Sequence, residues 1–239
     1  MRVPTRSWFD GSVQPQRLSV VPRTVLVGWA SLVGVLAVVT YSAKALGGEG
    51  AQDALYQWET AVAGLVQYVV VLGIAVAIGR RLTRGAVGLV RPDSVRRAAA
   101  LALIGLGAIF ALGHALDQFL EAGKEQGLLP DGWDGSRAAP FVANVVVVVL
   151  LAPFVEETVF RGLGYGAVRD GIGAGWAIPV TAIAFGLAHG LVIALPVLTA
   201  FGLILGWLRR RTGSIYPCVV LHSVFNGLAL LAAVALGAS

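Results

Sequence analysis

Seven long apolar runs are the feature of this sequence that most restricts how it can fold. A helix needs about 20 apolar residues, within a range of about 17–25, to cross the hydrocarbon core of a bilayer. Most of the runs have that length, and Pro196 with the glycines around 186–196 either kinks one helix or separates two. The sequence therefore predicts an all-α polytopic membrane helix bundle of about seven transmembrane helices, and six to eight are compatible with that boundary. The runs cover approximately 24–43, 60–79, 98–116, 139–168, 174–189, 191–208 and 214–236.

The composition agrees with a membrane protein and argues against a nucleic-acid partner. Hydrophobic residues make up 57% of the chain and charged residues 13%, whereas a soluble domain is roughly 45–50% apolar and about 25% charged. The net charge of +5 comes from arginines between apolar runs, not from a basic stripe on a soluble face. Membrane lipids are the expected partners instead, with the segment 80–97 lying on anionic headgroups. The single cysteine, Cys218, excludes a disulfide framework within the chain.

The arginines also predict the orientation of the bundle. If the apolar runs alternate in direction, all of the flanking arginines fall on one side, and the acidic segments near Glu49 and from Asp117 to Asp134 fall on the other. The positive-inside rule then predicts a multi-pass protein of the cell membrane with a cytoplasmic N-terminus. These arginines are Arg2, Arg6, Arg17 and Arg23 before the first run, Arg80, Arg81, Arg84, Arg91, Arg96 and Arg97 between the second and third, Arg161 and Arg169 near the end of the fourth, and Arg209, Arg210 and Arg211 after the sixth.

The stretch "APFVEETVFRG" places three charges in the fourth apolar run. Each carboxylate near the middle of a membrane costs at least about 2.5–3.5 kcal/mol on insertion scales. Glu157 and Arg161 are four residues apart and share a helix face, whereas Glu156 points about 100° away from Glu157. One carboxylate is therefore expected to pair with the arginine while the other faces a cavity. A helix that ends at Val155, with the charges marking the interface, is the alternative.

Two later helices carry further polar residues at helical spacing. Phe185 and His189 are four residues apart in "AFGLAHG", and His222 and Asn226 are four residues apart in "VLHSVFNG". At about 1.5 Å per residue, Glu157, the two histidines and the asparagine lie about 12–20 Å from the predicted cytoplasmic ends of their helices. The sequence therefore predicts that these side chains share one polar chamber inside the membrane.

Two carboxylates, two imidazoles and an amide are suited to activating water. One glutamate acts as general base, a histidine orients the water or protonates the leaving amine, and Asn226 with a histidine stabilises the oxyanion. This set predicts hydrolysis of a peptide bond. Whether a metal takes part stays open: Glu157, His189 and His222 are a known type of zinc ligand set, but no HExxH motif is present and a metal-free glutamate mechanism needs the same residues. No cofactor is therefore certain, and zinc is the candidate metal.

The motifs "EETVFR", "FGLAH" and "HSVFN" follow one another in the order EExxxR, FxxxH and HxxxN. In this the chain resembles the CPBP family, the CAAX-protease and bacteriocin-processing group of membrane endopeptidases, also called Abi-type proteins. The resemblance covers about 139–236 and implies an active site that opens toward the cytoplasm. It implies that Glu156 and Glu157 activate water with Arg161 as their partner, that His189, His222 and Asn226 complete the catalytic set, and that Phe160 and Phe185 pack the site.

The apolar runs and the arginines predict a cytoplasmic segment 1–23 and N-terminal helices 24–138, and the resemblance implies a catalytic core 139–239. It implies an intramembrane endopeptidase, glutamic or metallo in type, that acts on membrane-associated protein or peptide substrates. Eukaryotic members remove the last three residues of prenylated CAAX proteins, but bacterial members mostly lack such substrates, so prenylation of the substrate stays open. A non-catalytic membrane scaffold or bacteriocin-immunity-type protein is the alternative. A proton-coupled transporter is disfavoured because all the unusual residues lie in one half of the chain.

Overall fold

The computed structural model describes residues 23–46, 53–120 and 132–236. Within these ranges all regular secondary structure is helical, which confirms the predicted fold class. Seven main helices follow one another in the described parts of the chain. They are α1 (Arg23–Ala45), α2 (Trp58–Gly79), α3 (Val95–Leu120), the continuous helical stretch α4 (Gly135–Gly171), α5 (Ala177–Ala188), α6 (Leu195–Thr212) and α7 (Tyr216–Leu236).

Five of these helices, α1 to α4 and α7, are long and apolar enough to cross a membrane. The region around 186–196 separates two helices instead of kinking one, since α5 ends at Ala188 and Gly190 adopts a φ of 68°. Pro196 lies in the first turn of α6, where its missing N–H leaves no helical hydrogen bond unmade. The predicted segment 1–23 lies almost entirely outside the described residues, as does most of the acidic segment 117–134.

α4 is the central helix of the bundle. In an apolar stretch of 18 residues within α4, 39% is buried, against 11–22% in the corresponding stretches of the other four long helices. Its course alternates between α-helix and π-helix, with π segments at Val146–Leu151 and Thr158–Gly164. Such π segments occur frequently at functional sites. The α-helical turn between them, Ala152–Glu157, carries the carboxylate pair, so the helix does not end at Val155 as the alternative reading of the charges required.

The segment between α2 and α3 is only partly exposed, whereas its charge predicts that it lies on the membrane surface. Its arginines are exposed, but Ala86, Val87 and Gly88 are buried. The Gly88 carbonyl accepts a hydrogen bond from the backbone N–H of Ile215, at 2.9 Å. This contact places the segment at the same end of the bundle as the turn between α6 and α7. The apolar middle of the segment is inserted between helices because it buries hydrophobic surface there.

The sequence places Arg209 after the sixth apolar run, but α6 continues to Thr212, and Arg209 lies within it and is 5% exposed. Its Nε donates a hydrogen bond to the carbonyl of Arg161, at 3.0 Å. The guanidinium also lies 5.4 Å from the centroid of the Tyr165 ring. Arg209 therefore links α6 to the middle of α4.

We expect Gly88→Ala to lower the melting temperature of the protein, by several degrees. Gly88 has a φ of 72°, and an added Cβ would lie 2.5 Å from the Arg209 guanidinium, so the change strains the backbone by about 1–3 kcal/mol and displaces a buried arginine. Thermal unfolding in detergent measures the effect. Gly85→Ala is the matched control, because the nearest atom to its Cβ would be 3.9 Å away. Equal melting temperatures for the two variants would contradict this account of the segment.

Candidate active site

Glu157 is the fully buried member of the carboxylate pair. Its Oε1 accepts a hydrogen bond from Nη1 of Arg161 at 3.1 Å, so the pair predicted from the i, i+4 spacing is formed. The same oxygen lies 3.0 Å from Nδ1 of His222 on α7. Both side chains of the ion pair are 0% exposed. Glu157 therefore joins α4 to α7 at a place that solvent does not reach.

Arg161 extends this buried network to α6. Its Nη2 donates a hydrogen bond to the carbonyl of Gly202, at 3.0 Å. Its guanidinium lies 4.6 Å from the centroid of the Phe185 ring, which is a favourable cation–π distance. The charge of Arg161 is thus compensated by Glu157, by a backbone dipole of α6 and by an aromatic face of α5.

Glu156 has different surroundings. Its Oε1 accepts a hydrogen bond from the hydroxyl of Tyr68 on α2, at 2.7 Å. Its Oε2 lies 3.9 Å from Nε2 of His189 and 3.9 Å from Nε2 of His222. These distances exceed that of a direct hydrogen bond. The Glu156 side chain is 15% exposed and the His189 side chain 28%, but Oε2 of Glu156 is itself buried and has no hydrogen-bond partner among the described residues.

The hydrogen-bond partners of the two imidazoles assign their protons. Nδ1 of His189 lies 2.7 Å from the carbonyl of Phe185, and a carbonyl only accepts, so Nδ1 carries a proton. Nδ1 of His222 likewise donates to the Glu157 carboxylate. In the neutral imidazoles the lone pair is therefore on Nε2 of both rings. Both lone-pair atoms face Oε2 of Glu156.

Aromatic rings pack around the imidazoles. The Phe160 and Phe185 rings are 5.3 Å apart, and the Phe185 ring is 4.5 Å from that of His189. Phe201 on α6 lies 4.9 Å from His222 and is a contact that the sequence did not predict. These rings hold the imidazoles in place and lower the local dielectric, which strengthens the electrostatic interactions beside them.

Asn226 is held by α4. Its Nδ2 donates a hydrogen bond to the carbonyl of Val148, at 2.9 Å. This carbonyl lies in the first π segment, before the turn that carries the carboxylates. The Asn226 amide therefore already donates one hydrogen bond to the backbone, and the predicted contact with the oxyanion would use its second N–H.

Tyr68 is the polar contact of the site that sequence reasoning missed. It lies in the second apolar run, which has no motif of the family, and a single tyrosine in an apolar run is common near membranes. The sequence feature that pointed to Tyr68 was a hydroxyl at the centre of the second apolar run. Helix packing alone brings this hydroxyl to Glu156.

The candidate zinc ligand set is not brought together in the structure. Oε1 of Glu157 is occupied by Arg161 and by Nδ1 of His222, whereas the carboxylate that lies 3.9 Å from His189 is that of Glu156. Among the described residues, no group of three or more His, Cys, Asp or Glu side chains is placed to hold a metal ion. The polar atoms that converge belong to Glu156, His189 and His222 instead.

Comparison with known protein families identifies the C-terminal part of the chain. Residues 138–228 match the model of the family described as type II CAAX prenyl endopeptidase Rce1-like. This confirms the resemblance to the CPBP family, and the matched segment contains the EExxxR, FxxxH and HxxxN motifs. No curated protein and no solved structure matches the chain. Helices α1 to α3, including Tyr68, lie outside the match.

Proposed function

We propose that this chain, whose residues 138–228 match the Rce1-like family, is a membrane-embedded endopeptidase of CAAX type in which a glutamate activates water. The family match supports a membrane protease, and the substrates are membrane-associated proteins or peptides. The observation that carries the finer proposal is the convergence of the two Nε2 atoms of His189 and His222 on Oε2 of Glu156, each at 3.9 Å.

Glu156 is the general base in this proposal. A water that bridges Oε2 of Glu156 and Nε2 of His189, which are 3.9 Å apart, would lie about 2.8 Å from each and would give the buried Oε2 the hydrogen-bond partner that it lacks. Such a water gives one proton to Oε2 of Glu156 as its oxygen attacks the carbonyl carbon of the scissile peptide bond. His189 accepts a hydrogen bond from the same water through Nε2 and orients it. The proton on Glu156 then passes to the leaving amine as the C–N bond breaks.

His222 stabilises the negative charge that forms on the peptide oxygen. In the form that reacts, His222 is an imidazolium that carries a proton on Nε2 as well as on Nδ1 throughout the step, and the Glu157 carboxylate, which accepts the Nδ1–H, stabilises its charge. Nε2–H then donates a hydrogen bond to the oxyanion. Glu157 and Arg161 act in this scheme as the support of His222 and not as reactants.

Comparative analysis of peptide termini in membranes tests the proposed activity. Cells producing the wild-type protein are compared with cells producing Glu156→Gln at the same membrane level. We expect new termini in membrane proteins only with the wild type, and purified protein in lipid nanodiscs should then cleave a synthetic peptide of that sequence. Prenylated and unprenylated forms of the peptide establish whether the lipid is required. Identical termini in both cell lines would refute Glu156 as the general base, and termini that are also unchanged in cells without the protein would refute the proteolytic activity and favour a scaffold.

We expect Tyr68→Phe to lower kcat about tenfold with little change in KM. The hydroxyl holds Oε1 of Glu156 at 2.7 Å and so directs Oε2 toward the imidazoles. A hydrogen bond to a charged group contributes about 1.5–3 kcal/mol, and each 1.36 kcal/mol in the barrier is about tenfold in rate. Steady-state kinetics on the identified peptide measures it.

The matched control for Tyr68→Phe is Tyr216→Phe at the start of α7, which removes the same atom from a residue that is 41% exposed and away from the cluster. It should cleave at the wild-type rate. A Tyr68→Phe enzyme as active as this control would exclude a role for the α2 hydroxyl.

A further inference from the structure

The carbonyl of Val148 has lost both of its helical donors. An α-helical turn would pair it with the N–H of Ala152, but that N–H donates to Val147, five residues back. A π-helical turn would pair it with the N–H of residue 153, and Pro153 has none. An unpaired carbonyl at this depth in a membrane costs several kcal/mol.

Asn226 supplies the missing donor from another helix. Its Nδ2 lies 2.9 Å from the Val148 oxygen, and a carbonyl can only accept, so the amide donates. Two residues 73 positions apart, Pro153 and Asn226, thus act on the same oxygen. The proline keeps the backbone from satisfying it, and the asparagine satisfies it from α7.

We propose that Pro153 and Asn226 form one unit that holds the π segment Val146–Leu151 open and thereby sets the direction in which α4 presents Glu156 and Glu157. A π turn contains one residue more than an α turn. One residue corresponds to about 100° of rotation about the helix axis, so the π segment changes the direction of the side chains that follow it. Reversion of this segment to α-helix would turn Glu156 away from Tyr68 and the imidazoles. Asn226 is on this account a positioning residue, whatever further contact its second amide hydrogen makes.

A double-mutant cycle on thermal stability tests the unit without depending on catalysis. Asn226→Ala leaves the Val148 carbonyl unpaired, and we expect the melting temperature in detergent to fall by about 5 °C. Pro153→Ala restores an N–H at position 153 that can donate to Val149 as in an α-helix, which lets the N–H of Ala152 return from Val147 to Val148. In the Pro153→Ala background, Asn226→Ala should therefore lower the melting temperature by less than half as much.

Asn144 provides the control for this cycle. Its Nδ2 also bonds backbone carbonyls, those of Leu55, Gln57 and Pro140, but none of these depends on Pro153. Asn144→Ala should lower the melting temperature equally in both backgrounds. If the loss from Asn226→Ala is likewise equal with and without Pro153, the proposed unit is refuted.

Activity provides a second measurement, which rests on the proposed function. Pro153→Ala should remain folded but cleave the identified peptide at least about tenfold more slowly, because the carboxylates turn with the helix. Full activity in Pro153→Ala would overturn the positioning role even if the stability coupling is observed. If the protein has no proteolytic activity at all, the proposed function fails while the stability coupling still decides whether the unit exists.

Discussion

Glu156→Gln is expected to reduce kcat/KM by about 10³-fold while the protein keeps its wild-type melting temperature. A positioned general base contributes about 10²–10⁴-fold, and a glutamine cannot take the proton from the attacking water. The fold should survive because the amide oxygen of the new side chain can still accept the hydrogen bond of Tyr68, and position 156 is partly exposed. Kinetics in nanodiscs and thermal unfolding of the same preparation measure both quantities.

The companion variant for this prediction is His189→Gln, which removes the lone pair at Nε2 from the other side of the same gap. It should also lower kcat strongly and leave the fold intact, since His189 is 28% exposed at the end of α5. Cleavage by Glu156→Gln at the wild-type rate would exclude Glu156 as the base and would transfer the question to Glu157.

Arg161→Leu is expected to destabilise the protein severely, by about 3–5 kcal/mol. The guanidinium and the Glu157 carboxylate are both 0% exposed, and removing one partner leaves the other as an uncompensated buried charge. The variant also loses the hydrogen bond to Gly202, which ties α4 to α6. Denaturation in mixed micelles and the yield of folded protein in membranes measure the loss.

The double variant Glu157→Gln with Arg161→Leu should be more stable than Arg161→Leu alone, because no charge is then left buried without a partner. Arg210→Leu is the control, since that arginine of α6 is exposed and its loss should change stability little. If Arg161→Leu unfolds no more readily than Arg210→Leu, the ion pair does not stabilise the site.

These two predictions assign different roles to the adjacent glutamates. The sequence predicted the ion-pair partner of Glu157 but not the surroundings of Glu156. The i, i+4 spacing predicted that Glu157 pairs with Arg161 and that Glu156 points elsewhere. Which groups surround Glu156 depends on α2, α5 and α7, so it could not be predicted from α4 alone. The candidate zinc set could not be judged from the sequence for the same reason. It grouped Glu157 with both imidazoles, whereas Glu157 contacts His222 through Nδ1, and Nε2 of both rings faces Glu156.

Burial near the arginine-rich end of the bundle shows the same limit. Charge composition predicted that the segment 80–97 lies at the membrane surface and that Arg209 follows the sixth apolar run. The exposed arginines agree with this, but Val87, Gly88 and Arg209 are packed against each other and against α4. A stretch of sequence gives only the average polarity of that segment. Whether a residue in it is buried depends on which residues of other segments pack against it.

The sequence by itself determined that this chain is a membrane-spanning helical bundle, that a carboxylate pair lies within it, and that Glu157 and Arg161 share a face. These properties follow from hydrophobic run length and from the helical repeat, which are local. Only the tertiary structure decided that Glu156 faces both Nε2 atoms, that Tyr68 holds it and that Asn226 caps the carbonyl left unpaired by Pro153. These contacts join residues on different helices, and their geometry depends on how each helix is rotated when the side chains between them pack.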